Sequence, residues 1–270
     1  MFSKFGYQTL QSTERNAEAM SKIIENISNV KSIGYKKSNT SFVETLNGEI
    51  SKQESKDFSQ GPLRKTAEPF DLALNGTGFF EVELPSGQRA YTRAGRLRLN
   101  NEGELVTLQE GYKIIPLIEE IGKSKVELNK RDNAVGINIE ISNPKLTIPS
   151  DLTPEIAEDG TIYGVDENTN EKTKIGRINV VSFNNPQGLQ NLGGGFYLPT
   201  KLSGEVQEID YGPNKNTQVK QGYLEFGNVS VAQEMINMSQ MRNFISAQFK
   251  VLKVIDKLYE QVHYTISKSA

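Results

Sequence analysis

Apolar residues near the N-terminus recur at helical spacing. Leu10, Ala17 and Ile24 stand seven residues apart, and Met20 and Ile27 supply a second row three residues on. This spacing predicts a short helix over Leu10 to Ile27 with one heptad stripe. The C-terminal end repeats the pattern over a greater length. Val231, Met238, Ile245, Leu252, Tyr259 and Ile266 fall on every seventh position, and Met235, Met241, Phe249, Ile255 and Val262 fill a second row between them. Ser230 and Gln233 have the spacing of a capping box at its start. A helix from 230 to 266 would run roughly 55 Å at about 1.5 Å per residue. A stripe that long needs another helix against it, and the only other helical candidate lies at the far end of the chain. The termini are therefore expected to pack as a coiled-coil-like pair, with leftover apolar surface for neighbouring copies. The alternative is a closed intramolecular hairpin of helices with no partner.

Between the ends the period changes to two. In "FDLALNGTGFFEVELPSGQRAYTRAGRLRLNNEGELVT" apolar residues alternate at Leu72 and Leu74 and again at Phe80, Val82 and Leu84. Turn clusters punctuate this stretch at Asn75-Gly76, Pro85-Ser86-Gly87 and Asn100 to Gly103. Asp159-Gly160 marks a hairpin in "EIAEDGTIYGV", and "KIGRINVVSF" is a further strand before a glycine-rich stretch. Residues 36 to about 64 are polar with few apolar anchors, as in a linker or extended arm, while 117–146 could add an edge strand or two. The fold class expected is α+β, with mostly antiparallel β domains between two terminal helices. The organisation expected is 1–34 with 220–270 as a helical terminal domain, 35–64 as an arm, 65–146 as a β domain and 147–219 as a second β region.

Composition removes several function classes. The 270 residues hold 31 Lys and Arg against 33 Asp and Glu, a net charge of −2 that gives no footprint for nucleic acid or an anionic membrane. With no cysteine, disulfides, thiolate metal sites and cysteine nucleophiles are excluded, which also suits work outside the reducing cytosol. "MFSKFGYQTLQSTERN" has no continuous apolar core of a cleaved signal peptide, and no apolar run nears the length of about 20 residues that spans a bilayer.

No catalytic constellation stands out, and neither a cofactor nor a metal is expected. The single histidine, His263, sits on the C-terminal helix beside Val262 and reads as a solvated flank residue. Nothing singles out two of the acids as a carboxylate pair. The Gly76-Thr77-Gly78-Phe79-Phe80 stretch precedes a strand and has no third glycine in register, so it reads as a tight β-turn and not a phosphate loop. "GLQNLGGG" lacks a following Lys-Ser/Thr and reads as a loop. The sequons at Asn26, Asn228 and Asn237 fall in or beside helices and read as coincidental.

"ENISNVKSIGYKK", residues 25–37, ends the first helix. Asn26-Ile27-Ser28-Asn29, Ser32, Gly34, Tyr35 and Lys36 together resemble the N-terminal signature of the bacterial flagellar rod and hook proteins, with Lys31 where Asn is commoner. "PFDLALNGTGFFEV", "AYTRAGRLRLNNEGELVT" through "GYKIIP", "IGRINVVSFNNPQGLQNLGGGFYLPTKLSGE" and "QGYLEFGNVSVAQEMINM" are similar to later segments of that family, in the family's order. The likeness is best to its distal-rod branch. A stretch between Phe42 and Gly61 that is shorter than in many distal-rod proteins leaves a proximal-rod paralogue open, and a hook paralogue is the other alternative within the family.

The resemblance implies a structural, non-enzymatic subunit of a tubular axial assembly, exported by the flagellar type III apparatus without a cleaved signal. Its terminal helices would form the inner wall, with β domains outside. Its partners would be copies of itself and other rod, hook and ring proteins, with no nucleic acid and no membrane insertion, in the extracytoplasmic basal body. Asn26, Asn29, Gly34, Tyr35 and Lys36 would form the joint between wall and outer domains. The helix rows named above, from Leu10 to Ile27 and from Val231 to Val262, would be the seam and subunit interface. A free extracytoplasmic adhesin or binding module is the competing class.

Overall fold

A computed structural model of the chain describes residues 2–44, 50–117, 146–149, 152–166, 169 and 171–269. The chain divides into two compact units, each built from separated pieces. The first comprises Met1–Lys31, Lys37–Asp57 and Asn228–Ala270, and the second Ser32–Lys36 and Phe58–Gly227. A mostly antiparallel β body and terminal helices are thus both present, as the periodicities predict. The expected edge strands between 117 and 146 fall, except for Leu117 and Leu146, outside the described residues.

The first unit holds two helices and a hairpin. Helix α1 spans Phe2–Ser28 and helix α2 spans Val231–Ser269, each longer than the periodic stretch that foretells it. Helix α2 runs without glycine or proline, which removes the usual reasons for a helix to break. Its start is half a capping box. Ser230 Oγ accepts from the Gln233 amide at 3.4 Å, while the Gln233 side chain reaches forward to Asn237. At the end of α1, Asn29 Nδ2 donates to the Glu25 carbonyl at 2.9 Å, and the Asn29 backbone amide donates to the same carbonyl at 3.1 Å.

Where the sequence suggests an extended arm, the chain doubles back. Strand β1 (Ser38–Glu44) pairs antiparallel with β2 (Ile50–Lys56) in full register from Ser38↔Lys56 to Glu44↔Ile50. The strands are polar and Ser/Thr-rich, so apolar alternation could not reveal them.

In the second unit the strand Phe79–Glu83 is central. It pairs antiparallel with Arg89–Thr92, with Lys113–Ile114 and with Val180–Phe183. Leu72, Leu74, Phe80 and Val82 enter the main core, as their alternation predicts. Phe79 points to the other face, into an edge-to-face aromatic cluster with Tyr91, Phe183, Tyr197 and Phe58. Both faces of this strand are therefore covered, and even Glu81 is buried, bonded to Arg89, Tyr91 and Asn179. The Asp159-Gly160 turn joins Thr153–Ile156 to Thr161–Val165, with Gly160 at φ 74° and Asp159 bonded to Thr161. Residues from the beginning and the end of the unit's own sequence close it. Gln218–Gln221 pairs with Leu72–Asn75, Tyr223–Glu225 pairs with Leu63–Lys65, and Ile33 bridges Phe226.

Candidate assembly site

The motif residues separate into two groups, one in each unit. In the helical unit, Asn26 is buried and its side-chain amide acts as a short strand partner for Ser38. Nδ2 donates to the Ser38 carbonyl and Oδ1 accepts from the Ser38 amide, both at 2.9 Å. Only a carboxamide offers donor and acceptor together at this reach, which explains why Asn stands here. A buried amide engaged on both sides leaves no place for a glycan. Asn228 Oδ1 accepts from the Lys37 amide at 2.7 Å, and Asn228 Nδ2 donates to the Asp57 carbonyl at 2.8 Å. Lys37 Nζ stands 2.6 Å from the buried Glu234 Oε1, as an ion contact whose geometry is not that of a hydrogen bond.

In the β unit, Gly34 lies at φ 67° and donates its amide to the Glu225 carbonyl at 2.8 Å. A Cβ there would come within 2.4 Å of the Ala94 nitrogen, so conformation and space both require glycine. Tyr35 lies half-buried, next to Lys36. The Lys36 side chain is fully buried, and its Nζ donates to Glu225 Oε1 and to the Ser59 carbonyl, both at 2.7 Å. Glu225 Oε1 also accepts from the Gly61 amide at 2.8 Å, and Oε2 pairs with Arg93 Nη1 at 3.2 Å. Arg93 Nη2 donates to the Gly76 carbonyl at 2.9 Å, its guanidinium lies 5.5 Å from the Phe79 ring centroid, and its Nε has no partner. Burial holds the Arg93 guanidinium below its ordinary pKa, with Glu225 opposing that shift.

Lys36 and Glu225, 189 residues apart, meet Arg93 and the Gly76 carbonyl in one buried ion cluster, the four coming from four separate motifs. Gly76 and Gly78 adopt φ 121° and 115°, and Phe79 and Phe80 bury on opposite faces. Sequence reasoning named Lys36 and Gly76 but not Arg93 or Glu225. The available signal was a lone acid inside "YLEF" and a lone base inside "YTRA", each among buried strand positions.

The helices present two kinds of surface. Val231, Met238, Met241, Ile245 and Leu252 are partly buried on α2, and Ile255 is buried. Met235 and Phe249, assigned on sequence to the second row, are instead 53% and 52% exposed. The residues one position earlier turn inward instead, Glu234 buried beside Lys37 and Gln248 against α1. Gln248 Oε1 accepts from Asn16 Nδ2 at 3.0 Å and from Thr13 Oγ1 at 3.4 Å, and its Nε2 donates to Ser12 Oγ at 2.7 Å. On α1, Met20 and Ile27 are partly buried, whereas Ala17 and Ile24 are exposed. Tyr259 and Val262 are exposed, and the side chains of Leu10, His263 and Ile266 lie outside the described residues.

Residues 73–164 match the family described as flagellar hook protein FlgE/F/G D1 domain, and residues 220–262 match flagellar basal body rod FlgEFG protein C-terminal. Arg93 falls in the first match, Glu225 and most of α2 in the second. The flagellar basal-body rod protein FlgG of Buchnera aphidicola (from Acyrthosiphon pisum) is 34% identical over 204 residues, covering 76% of this chain and 68% of that one. The chain belongs to the flagellar basal-body rod protein family. FlgG of Borreliella burgdorferi is 30% identical over 201 residues, covering 74% and 66% of the two chains. FlgG of Bacillus subtilis is 27% identical over 263 residues, covering 88% and 89%. Within the rod family this chain is most like FlgG. The relatives are named as flagellar basal-body rod proteins, and none of these names is that of an enzyme. No helix among the described residues is long and apolar enough to cross a membrane.

Proposed function

We propose that this chain is a structural subunit of the flagellar basal-body rod, whose copies self-assemble through the terminal helices into a tubular axial structure. The tube transmits torque and encloses the export channel. In it α1 and α2 form the inner wall as a coiled-coil-like pair, with the β body outside. The motif residues Asn26, Asn29, Gly34, Tyr35 and Lys36 form the joint that leads from wall to body. The chain passes through the flagellar type III export apparatus without a cleaved signal and works outside the cytoplasm, against other rod, hook and ring proteins.

The observation that supports self-assembly is the apolar surface left uncovered on α2. Phe244 and Val254 are 56% and 57% exposed, and Ile236, Val251, Leu258 and Val262 are exposed as well. Single exposed apolar residues are ordinary, but a run along one long helix marks an interaction surface. Identical subunits joined head to tail without closure make a helical tube.

Sedimentation of the purified chain at rising concentration tests this. The full chain should form large polymers, and Val254→Asp with Leu258→Asp should remain monomeric with an unchanged circular dichroism spectrum. A full chain that stays monomeric at every concentration, or a double variant that polymerises normally, would refute self-assembly through α2.

A further inference from the structure

Helix α2 carries two heptad seams with different chemistry. The inner one runs Met241, Ile245, Gln248, Leu252, Ile255, at steps of four and three, and these residues are partly or fully buried. It is interrupted by Gln248, which bonds to Ser12, Thr13 and Asn16 of α1. The outer one runs Phe244, Ala247, Val251, Val254, Leu258, at steps of three and four, with no polar interruption, and all five residues are exposed. A sustained alternation of three and four is the spacing at which a helix receives another helix. The inner seam has its partner within the chain, and nothing among the described residues covers the outer seam.

Charge identifies the partner. Along one flank of the outer seam stand Lys250, Lys253 and Lys257, all exposed. The outward face of α1 offers the complement, with apolar Ala17 and Ile24 seven residues apart beside exposed Glu14 and Glu18, the latter also 3.4 Å from Lys52 of the hairpin in an exposed, weak pair. A second α2 would not serve, because two copies of the lysine row would meet. We propose that the outer seam of α2 receives the outward face of α1 from a second copy of this chain, with Glu14 and Glu18 set against the lysine row. Each copy presents one surface and accepts with the other, so the contact is heterologous and propagates without closing. The proposal rests on self-assembly through the terminal helices and names the surfaces that meet.

Two charge-reversed chains test it. One carries Glu14→Lys and Glu18→Lys, and the other carries Lys250→Glu, Lys253→Glu and Lys257→Glu. All five positions are exposed, and the Glu18–Lys52 contact that the first variant breaks is a solvent-exposed pair at 3.4 Å, so both chains should fold, as circular dichroism would verify. Each alone should lose at least tenfold of the polymer that the unmodified chain yields in sedimentation. Mixed in equal amounts they should co-polymerise to near the unmodified level, because the acidic α1 of one faces a basic α2 of the other, and the reverse. Polymer from either variant alone, or failure of the mixture while the unmodified chain assembles, would overturn this pairing and leave self-assembly standing. An unmodified chain that does not assemble would instead remove the premise.

Discussion

Neutralising Glu225 should cost far more than removing either of its cations. The carboxylate is fully buried and faces two buried positive groups, Lys36 at 2.7 Å and Arg93 at 3.2 Å. Glu225→Gln preserves the shape and its oxygen still accepts from the Gly61 amide, but it removes the charge and turns an N–H donor toward Arg93. It leaves two buried cations without an anion, and stranding a buried charge costs about 3–5 kcal/mol. Lys36→Met leaves the Glu225–Arg93 pair balanced and forfeits the bonds to Glu225 Oε1 and to the Ser59 carbonyl, about 1–3 kcal/mol. Arg93→Met also leaves a balanced pair, and it removes a buried Nε that has no partner. Removing both cations strands the carboxylate, so that double variant should cost more than the sum of the singles. Tyr91 and Tyr197 sit in the packed aromatic cluster of the β unit, so near-ultraviolet circular dichroism during urea unfolding reports on this unit. The expected order is Glu225→Gln well below Lys36→Met in stability, by about 2 kcal/mol or more, against a total of about 5–15 kcal/mol for a typical domain. Equal losses for Glu225→Gln and Lys36→Met would show that charge balance does not govern the cluster.

Gly34→Ala should destabilise the β unit by at least about 2 kcal/mol in urea unfolding, since it adds left-handed strain to a backbone clash; a near-neutral result would contradict the close approach to Ala94. Asn26→Leu breaks both bonds to Ser38, so hydrogen exchange over β1 should quicken while the β unit keeps its protection; unchanged exchange would mean the amide does not anchor the hairpin. Alkaline titration should destabilise the β unit from about pH 10 upward. Burial raises the pKa of Tyr91, Tyr197 and Tyr211, the last to about 12. The unfolded chain then releases these protons first, so stability is intact below the ordinary tyrosine range and falls as pH rises through the folded values. With three such groups the slope is about 4 kcal/mol per pH unit. Tyrosinate absorbance that reaches the value for all ten tyrosines before unfolding would contradict this.

Turns and helix ends were legible because their chemistry is local. Gly76, Gly78 and Gly160 take the positive φ that their places between strands predict, and Ser230 caps the helix it precedes. The hairpin Ser38–Lys56 was not legible, because it lacks apolar alternation and is anchored by the Asn26 amide, twelve residues away from Ser38. The second helical row was drawn through Met235 and Phe249 for their apolar character. Strict sevenfold spacing runs instead through Glu234, Met241, Gln248 and Ile255. Glu234 and Gln248 turn inward because Lys37 and the polar side chains of α1 supply partners there, and only the folded chain brings those partners near. The Lys36–Glu225–Arg93 cluster was hidden for the same reason, since 189 residues separate Lys36 from Glu225. Its members lie in the quoted motifs, but nothing in one motif announces its bond to another.

The most direct test of a rod subunit is the position of this chain in intact hook–basal bodies, purified from the bacterium that makes it and labelled with an antibody against the β unit. The label should fall on the rod, with several copies per particle. Label confined to another part of the structure, or purified basal bodies that lack the chain, would contradict the account.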